Sequence, residues 1–407
     1  MAVVDQTVSL TPETVERVRA ELRAQGVDAW LLYNFKGLNA IASNLTGLPA
    51  MTRRWFVYLP AEGTPVAVTH RIEQQPWSTW LGENRPYSSW QELDARLREL
   101  LAGSGRVAME YAENDAVPYV DQVPAGVLEL VRAAGGNIVT SANLVSAFNA
   151  RWSPEGVASH RRAAKVVADT AHAAFSRIAA AARAGRTTTE WEMRRWIQER
   201  FTEAGLTVGA DAIVAVNANA ANPHYAPSAE KHAEIRPGDL VLIDLYGKED
   251  GPEAVYGDQT WMGYVGETVP ERLATIFAAV RDARLAAIDR IRSRHAAGQP
   301  PAGWEADDAA RAVITERGWG EAFIHRTGHS IDRELHGSGP NIDNLETRDT
   351  RTLIQGVGFS IEPGIYLAGD VGFRSEVNVY MGPDGPEVTT PEPQREVYAL
   401  LSDPRFG

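Results

Sequence analysis

Apolar positions recur along this chain in two periods, and the order in which they alternate divides it. Near the start, Val15, Val18 and Leu22 fall at helical spacing. They follow Thr11, a capping side chain, and Pro12, whose missing N–H is harmless at the first helical position. Short strand-like runs come next: AWLLYN, WFVYLP, TPVAVT and RVAMEY, with helical patterns over 90–102 and 118–134. This alternation predicts an α/β domain whose mixed or parallel sheet is covered by crossover helices. At RWSPEGVASH the pattern restarts, with Ser153 and Pro154 opening a long helix. Its buried face is Val167, Ala171, Ala174, Phe175, Ile178 and Ala182, and Gly185 ends it. Thr187 and Glu190 are placed as a capping box for the next helix, with Met193, Ile197 and Phe201 inward. Then strand-like runs dominate, AIVAVN, DLVLIDLYG, FSIEPGIYL and SEVNVYM, with helices over 270–294 and 303–318. Two domains are therefore expected, an α/β domain over 1–152 and an α+β domain over 153–407.

Composition narrows the chemistry. The chain has 407 residues, enough for two cores, with 44% hydrophobic residues. It has no cysteine, so disulfides and thiolate ligands are excluded, and any metal must be held by oxygen and nitrogen. The formal net charge of −13 repels a phosphate backbone, which argues against a nucleic-acid partner. No run of apolar residues is long enough to cross a bilayer, and the opening MAVVDQTVSL does not read as a signal peptide, so a cytoplasmic protein is expected.

Four carboxylates stand where the pattern is otherwise apolar. Asp244 is central in LVLIDLYG, Asp258 sits beside aromatics in VYGDQTW, Glu362 precedes a Pro-Gly turn in GFSIEPGIY, and Glu376 lies in FRSEVNVYM. One such residue is ordinarily a structural salt bridge or a capped turn. Four together are different, because each uncompensated buried anion costs roughly several kcal/mol even after relaxation. Arg374 neutralises one at most, and bound cations would compensate the rest. The segment HRTGHSIDRELHGSGP adds His325, His329 and His336 in a Gly-broken stretch, out of nine histidines in the chain. An oxygen-rich set with an imidazole suits a pair of divalent ions such as Mn²⁺, Co²⁺ or Zn²⁺.

In order, IDLYG, GDQT, HRTGH, LH, IEPGIY and RSE resemble the pita-bread metallopeptidases, and within them the Xaa-Pro peptidases, prolidase and aminopeptidase P. The first domain resembles the creatinase-type N-terminal domain of those enzymes. The resemblance implies two divalent metal ions held by Asp244, Asp258, His329, Glu362 and Glu376, with KEDGPEA as a hairpin insertion between the two aspartates. It implies Glu362 as general base, His224 and His336 as substrate-side histidines, and His325 as a supporting residue. The segments GHSID and LHGSGP depart from the family's usual pattern through Asp332 and Gly337, and Trp261 follows Thr260 where the family often has Arg nearby. These departures bear on the shape of the substrate pocket and leave every ligand in place.

The implied activity is hydrolysis of the bond before proline in small peptides. A dipeptidase must also read the free carboxylate of proline, a task for Arg. Prolidases have an Arg fourteen positions before the Glu, which is Arg348 here (362 − 14 = 348). Arg374, or Arg53 and Arg54 in the loop of GLPAMTRRW, are the other candidates. Aminopeptidase P shares every ligand and differs in the room beyond proline. A non-peptidase amide hydrolase on the same fold is a further alternative, and a non-enzymatic binding relative would be expected to have lost ligands. The family's habit of dimerising implies a homodimer.

Overall fold

The computed structural model describes residues 9–207 and 212–407. The chain divides into two compact units, Met1–Asn149 and Ala150–Gly407. Trp152 belongs to the second, where its indole N–H donates to the Ile331 carbonyl at 2.7 Å.

The first unit is a six-stranded sheet between helices. Its strands are β1 (Ala29–Asn34), β2 (Trp55–Pro60), β3 (Val66–His70), β4 (Glu83–Tyr87), β5 (Arg106–Met109) and β6 (Asn137–Thr140), in the order β4-β3-β2-β1-β5-β6. β1 runs parallel to β5 and antiparallel to β2, so the sheet is mixed. The helices are α1 (Pro12–Gln25), α2 (Ala40–Thr46), α3 (Trp90–Leu101), α4 (Ala125–Ala133) and α5 (Ala142–Asn149). Alternate residues of β1 enter different cores. Trp30 and Leu32 pack with α1, α2 and α5, while Ala29, Leu31 and Tyr33 pack with α3 and α4. Both faces being covered explains why AWLLYN is apolar up to its last residue, Asn34. The helix expected from position 118 starts only at Ala125, because Pro124 cannot continue a helix from its N-terminal side and instead stands at the cap position.

The second unit opens with α6 (Pro154–Arg183), capped as expected by Ser153, whose hydroxyl accepts from Gly156 N–H at 3.1 Å. A short strand β7 (Thr188–Thr189) precedes α7 (Glu190–Glu203). Here the capping box is Thr189 with Glu192, two residues later than Thr187 with Glu190. Glu190 has another use: its carboxylate accepts from Val216 N–H, Asn219, Tyr225 Oη and Ala233 N–H. Next come β8 (Leu206–Thr207), β9 (Ile213–Val216), β10 (Glu234–Ile235), β11 (Leu240–Glu249) and β12 (Gly257–Tyr264). The helices α8 (Glu271–Ala296) and α9 (Gly303–Glu316) follow. The chain closes through β13 (Ser330–Ile331), β14 (Gly358–Ile361), β15 (Gly364–Leu367), β16 (Val371–Arg374), β17 (Val377–Gly382), β18 (Gly385–Val388) and β19 (Tyr398–Ala399). FSIEPGIYL is thus two strands, broken at Glu362–Pro363 where proline removes a ladder donor.

β11 and β12 form a long hairpin with β9 beside β11, and a second sheet runs β13-β14-β17-β18. Val241, Ile243 and Leu245 point into a core with α6 and α7, and Leu240 and Leu242 into one with α8 and α9. Trp261 lies in the α6–α7 core, on the face of β12 away from Asp258 and Thr260. No helix among the described residues is long and apolar enough to cross a membrane.

Candidate metal centre

Strand register gathers the acidic residues. In the β11–β12 ladder Asp244 faces Thr260 and Tyr246 faces Asp258. Side chains alternate along a strand, so Asp244 and Asp258 are diagonal neighbours on one face. In the β14–β17 ladder Ile361 pairs with Val377, so the next step outward sets Glu362 opposite Glu376. The β13–β14 pairing of Ser330 with Phe359 likewise brings His329 beside Ser360. Ser360 N–H donates to the His329 carbonyl at 2.9 Å, and His329 N–H to Ser360 Oγ at 3.0 Å. Gly328 permits this approach, since a Cβ there would lie 2.1 Å from the Ser360 carbonyl oxygen.

The side chains converge. His329 Nε2 lies 3.4 Å from both Asp258 Oδ2 and Glu362 Oε1. Ligand atoms of Asp258, His329 and Glu376 all fall within 4.8 Å of one another. Asp244 is ion-paired with the Arg374 guanidinium, whose Nε donates to Thr260 Oγ1 at 3.0 Å and lies 3.9 Å from Glu362 Oε2. Asp244, Asp258, His329, Arg374 and Glu376 are buried, and Glu362 is half-buried. All five residues of the implied ligand set are therefore gathered here, through the contacts of Asp244 and Glu362 with Arg374 and of Glu362 with His329.

Electrostatics mark the cluster as short of positive charge. Burial, with the charges of Asp258 and Glu362, pushes the Asp244 carboxyl up to about 7 against the pull of Arg374. Burial raises Asp258 and, more strongly, Glu376, where Asp258, Glu362 and Asp244 add to the effect. Glu362 goes the other way: burial would raise it, but His329, His325, Arg374 and Arg326 outweigh that and hold it low. Two buried oxygens, Asp244 Oδ1 and Glu376 Oε1, have no hydrogen-bond partner among the described residues. Buried acceptors are ordinarily satisfied, so unmet oxygens beside a histidine nitrogen fit a divalent cation. Asp244, Asp258, His329, Glu362 and Glu376 would hold it.

The other candidates fall into separate groups. His336 packs edge-on against His329, ring centroids 4.3 Å apart. Although the residue is exposed overall, burial of its ring, with the charges of His329 and Arg326, lowers its pKa to about 4. A side chain at Gly337 would strike Asp332, which is buried and accepts from Glu334 and Ser338 N–H, so this departure shapes the His336 loop. His224 is exposed, on a turn whose Pro223 carbonyl accepts from Arg374 at 3.4 Å. His325 is half-buried, its Nε2 2.8 Å from Tyr366 Oη, and Tyr366 Oη is 3.2 Å from Arg374 Nη1. Arg374 is committed to these buried partners, which leaves its fork occupied rather than open to a substrate carboxylate. Arg348 is exposed with no ion pair among the described residues. Its neighbour Arg351 is buried and braces the 338–341 loop through Asp349 and the Ser338 and Gly339 carbonyls. Arg53 and Arg54 lie in the first unit.

Two site residues escaped the sequence reading. Thr260 donates to Glu376 Oε2 at 2.8 Å, and Ser360 donates to Glu362 Oε1 at 3.0 Å. Both stand two positions from a carboxylate, Thr260 on the strand of Asp258 and Ser360 just before Glu362, so period-2 alternation was the available signal.

Residues 158–383 match metallopeptidase family M24. The chain belongs to metallopeptidase family M24. Among curated relatives of this M24 chain, an Xaa-Pro dipeptidase of Lactobacillus delbrueckii subsp. lactis is 35% identical over 185 residues, covering 44% of each sequence. The chain thus spans under half the length of that relative in the alignment. A probable dipeptidase PepE of Mycobacterium tuberculosis (strain ATCC 25618 / H37Rv) is 29% identical over 331 residues, 80% of both. Among solved structures, dipeptidase PepE from Mycobacterium ulcerans superposes with a TM-score of 0.65 at 24% identity, covering 96% of this M24 chain and 100% of that one. That likeness establishes the two-domain architecture with the pita-bread fold.

Proposed function

We propose that this M24 chain is a metal-dependent dipeptidase that hydrolyses the bond between a first residue and a following proline. The observation that carries the proposal is the buried cluster of Asp244, Asp258, His329, Glu362 and Glu376 with its two unpartnered oxygens. The names of the relatives, Xaa-Pro dipeptidase and dipeptidase, support the substrate class. Two divalent ions, of Mn, Co or Zn type, would acidify a water and polarise the scissile carbonyl. Glu362, held low by its cationic neighbours, is unprotonated at neutral pH and free to take the water's proton. It then delivers that proton to the proline nitrogen as the C–N bond breaks. His336, with its pKa near 4, is neutral at pH 7 and offers an N–H to the carbonyl oxygen as charge develops, and His224 serves beside it. Arg348, unpaired and exposed, is first choice to read the free carboxylate of a dipeptide, with Arg53 and Arg54 behind it.

The test is elemental analysis with a hydrolysis assay on Ala-Pro and Ala-Pro-Ala, with and without chelator. The expected result is two divalent ions per chain, chelator-sensitive hydrolysis and a preference for Ala-Pro. A preference for Ala-Pro-Ala would replace the dipeptidase by an aminopeptidase P. Cleavage of neither peptide by the metal-loaded protein would leave a non-peptidase amide hydrolase.

A further inference from the structure

We propose that the first unit carries a binding site of its own for a small anion with an aromatic body, at the carboxyl ends of β1, β3 and β4. A cavity of about 470 Å³ opens there, lined by Tyr33, Phe35, Arg53, Arg54, Tyr87 and Trp90, with the start of α4 along one wall. That volume is in the range that small-molecule sites occupy. Open α/β sheets bind ligands in such crevices beyond their strand ends.

The cavity's charge calls for an anion. Neither Arg53 nor Arg54 has an ion-pair partner among the described residues. Glu73, an acid of the same loop region, is already held by Thr52 N–H, Thr52 Oγ1 and Arg53 N–H at 2.9, 2.6 and 3.0 Å. The charge of Arg54 reaches both the Tyr33 and Tyr87 phenols, opposing the rise that burial gives each, so its guanidinium lies along the same wall. The Tyr87 hydroxyl donates to the Arg54 carbonyl at 2.8 Å and fixes this edge, whereas the Tyr33 hydroxyl has no hydrogen-bond partner among the described residues. α4 begins at Ala125, after Pro124 at the cap position with no side-chain cap, adding a weakly positive helix end.

The cavity's walls call for an aromatic body. Trp90 is 70% exposed and makes no ring contact among the described residues, an unusual position for so large an apolar surface. Phe35 and Leu130 are only half-buried against the core behind it. A guanidinium pair with a free phenol fits a phosphate or carboxylate, and a ring stacked on Trp90 would cover what is now exposed. Every residue that lines the site comes from the first unit.

The probe is phenyl phosphate, titrated calorimetrically into the full-length, metal-loaded protein and mapped by hydrogen exchange. Inorganic phosphate and benzyl alcohol carry each half alone. Phenyl phosphate is expected to bind at least about tenfold more tightly than either half and to protect residues 88–90 and 124–130. Arg54→Ala should weaken it about ten- to a hundredfold, the scale of a charge-assisted contact. Trp90→Ala should weaken it about three- to tenfold, the scale of one aromatic contact. Protection confined to residues 325–336 and 358–376 would overturn the proposal, because the anion would then sit at the metal centre. Affinity unchanged in both variants would also overturn it. So would a selective loss of Ala-Pro hydrolysis in Arg54→Ala when wild type binds no phenyl phosphate, which would make these arginines readers of substrate.

Discussion

Glu110 in the first unit and Glu376 in the second are both buried acids, 0% and 3% exposed. Glu110 has each oxygen satisfied, one by the Trp30 indole N–H and the other by Asn39 Nδ2 at 2.7 Å. Asn39 also caps α2 and donates to the Tyr33 carbonyl, so the carboxyl ties strand to helix. Glu376 has one oxygen held by Thr260 and one without a partner, among three other carboxylates. Burial raises the pKa of both. Burial alone therefore does not mark a site. What separates the two is unmet demand: neutral donors complete the first acid, and a bound cation would complete the second.

The sharpest way to break this contrast is to remove one charge from the unmet cluster. Glu362→Gln keeps the shape and the Ser360 contact but cannot accept a proton. Turnover on Ala-Pro should fall by about 10²- to 10⁴-fold, the range for general acid/base help. Steady-state assay with metal content measured alongside checks it, and near-normal turnover at full metal occupancy would place the base elsewhere.

The completed acid makes the opposite prediction, on stability and not on rate. Burial raises Glu110 from the ordinary 4.5 to about 7 in spite of its hydrogen bonds. The folded state thus keeps a proton that the unfolded chain gives up. Its stabilising contribution is complete below pH 4.5 and is lost as pH rises to about 7. The difference of 7 − 4.5 units corresponds to about 3–4 kcal/mol at about 1.4 kcal/mol per unit. Glu110→Gln should remove this slope whatever its constant offset. Denaturant-dependent hydrogen exchange in residues 29–34 and 106–109, compared between pH 5 and 8, reads it. Parallel pH dependence in wild type and variant would show that Glu110 does not titrate in that window.

A third test concerns how an exposed arginine differs from a buried one. Arg351 is locked to Asp349 and to two carbonyls, and Arg348, three residues earlier, is unpaired. If Arg348 pairs with the substrate carboxylate, Arg348→Ala should weaken Ala-Pro hydrolysis about ten- to a hundredfold, as expected for losing a contact worth roughly 1.5–3 kcal/mol. Ala-Pro-Ala has an amide where that carboxylate stood and should suffer less. Equal losses on both peptides would assign Arg348 to the support of the fold, the part Arg351 plays.

The same contrast explains what was legible in the sequence. β1 and β2 could be read end to end because both their faces are buried and their residues are apolar but for Asn34 at the end of β1. β4, as ENRPY, and β6, as NIVT, could not, because they are the sheet's edges and only partly buried. The caps at Thr11 and Ser153 could be read from a following proline, whereas in TTTE the true cap was fixed by where Glu190 is needed, a tertiary demand that no local pattern carries. The acids of the candidate metal centre stood out because they interrupt apolar strands. Thr260 and Ser360 did not, since a hydroxyl in a strand is unremarkable until its partner is known.

Ser360 provides the smallest and most specific test. Its Oγ accepts from His329 N–H at 3.0 Å and donates to Glu362 Oε1 at 3.0 Å, so one atom fixes the positions of a candidate ligand and the candidate base. Trp30 in the first unit makes a single indole N–H bond to Glu110. Both Ser360→Ala and Trp30→Phe delete one donor to a carboxyl, at roughly 0.5–1.5 kcal/mol for an ordinary hydrogen bond. If the division between completed and unmet acids holds, the losses should appear in different measurements. Trp30→Phe should lower the unfolding free energy and leave turnover per folded molecule within about twofold. Ser360→Ala should reduce turnover about three- to tenfold at matched metal occupancy, because Glu362 then has more than one orientation available when the water must be met. Restoring a hydroxyl as Ser360→Thr should recover part of the rate. A rate loss in Trp30→Phe as large as that in Ser360→Ala would mean that turnover follows global stability in both units, and that the position of Glu362 is set by something other than Ser360.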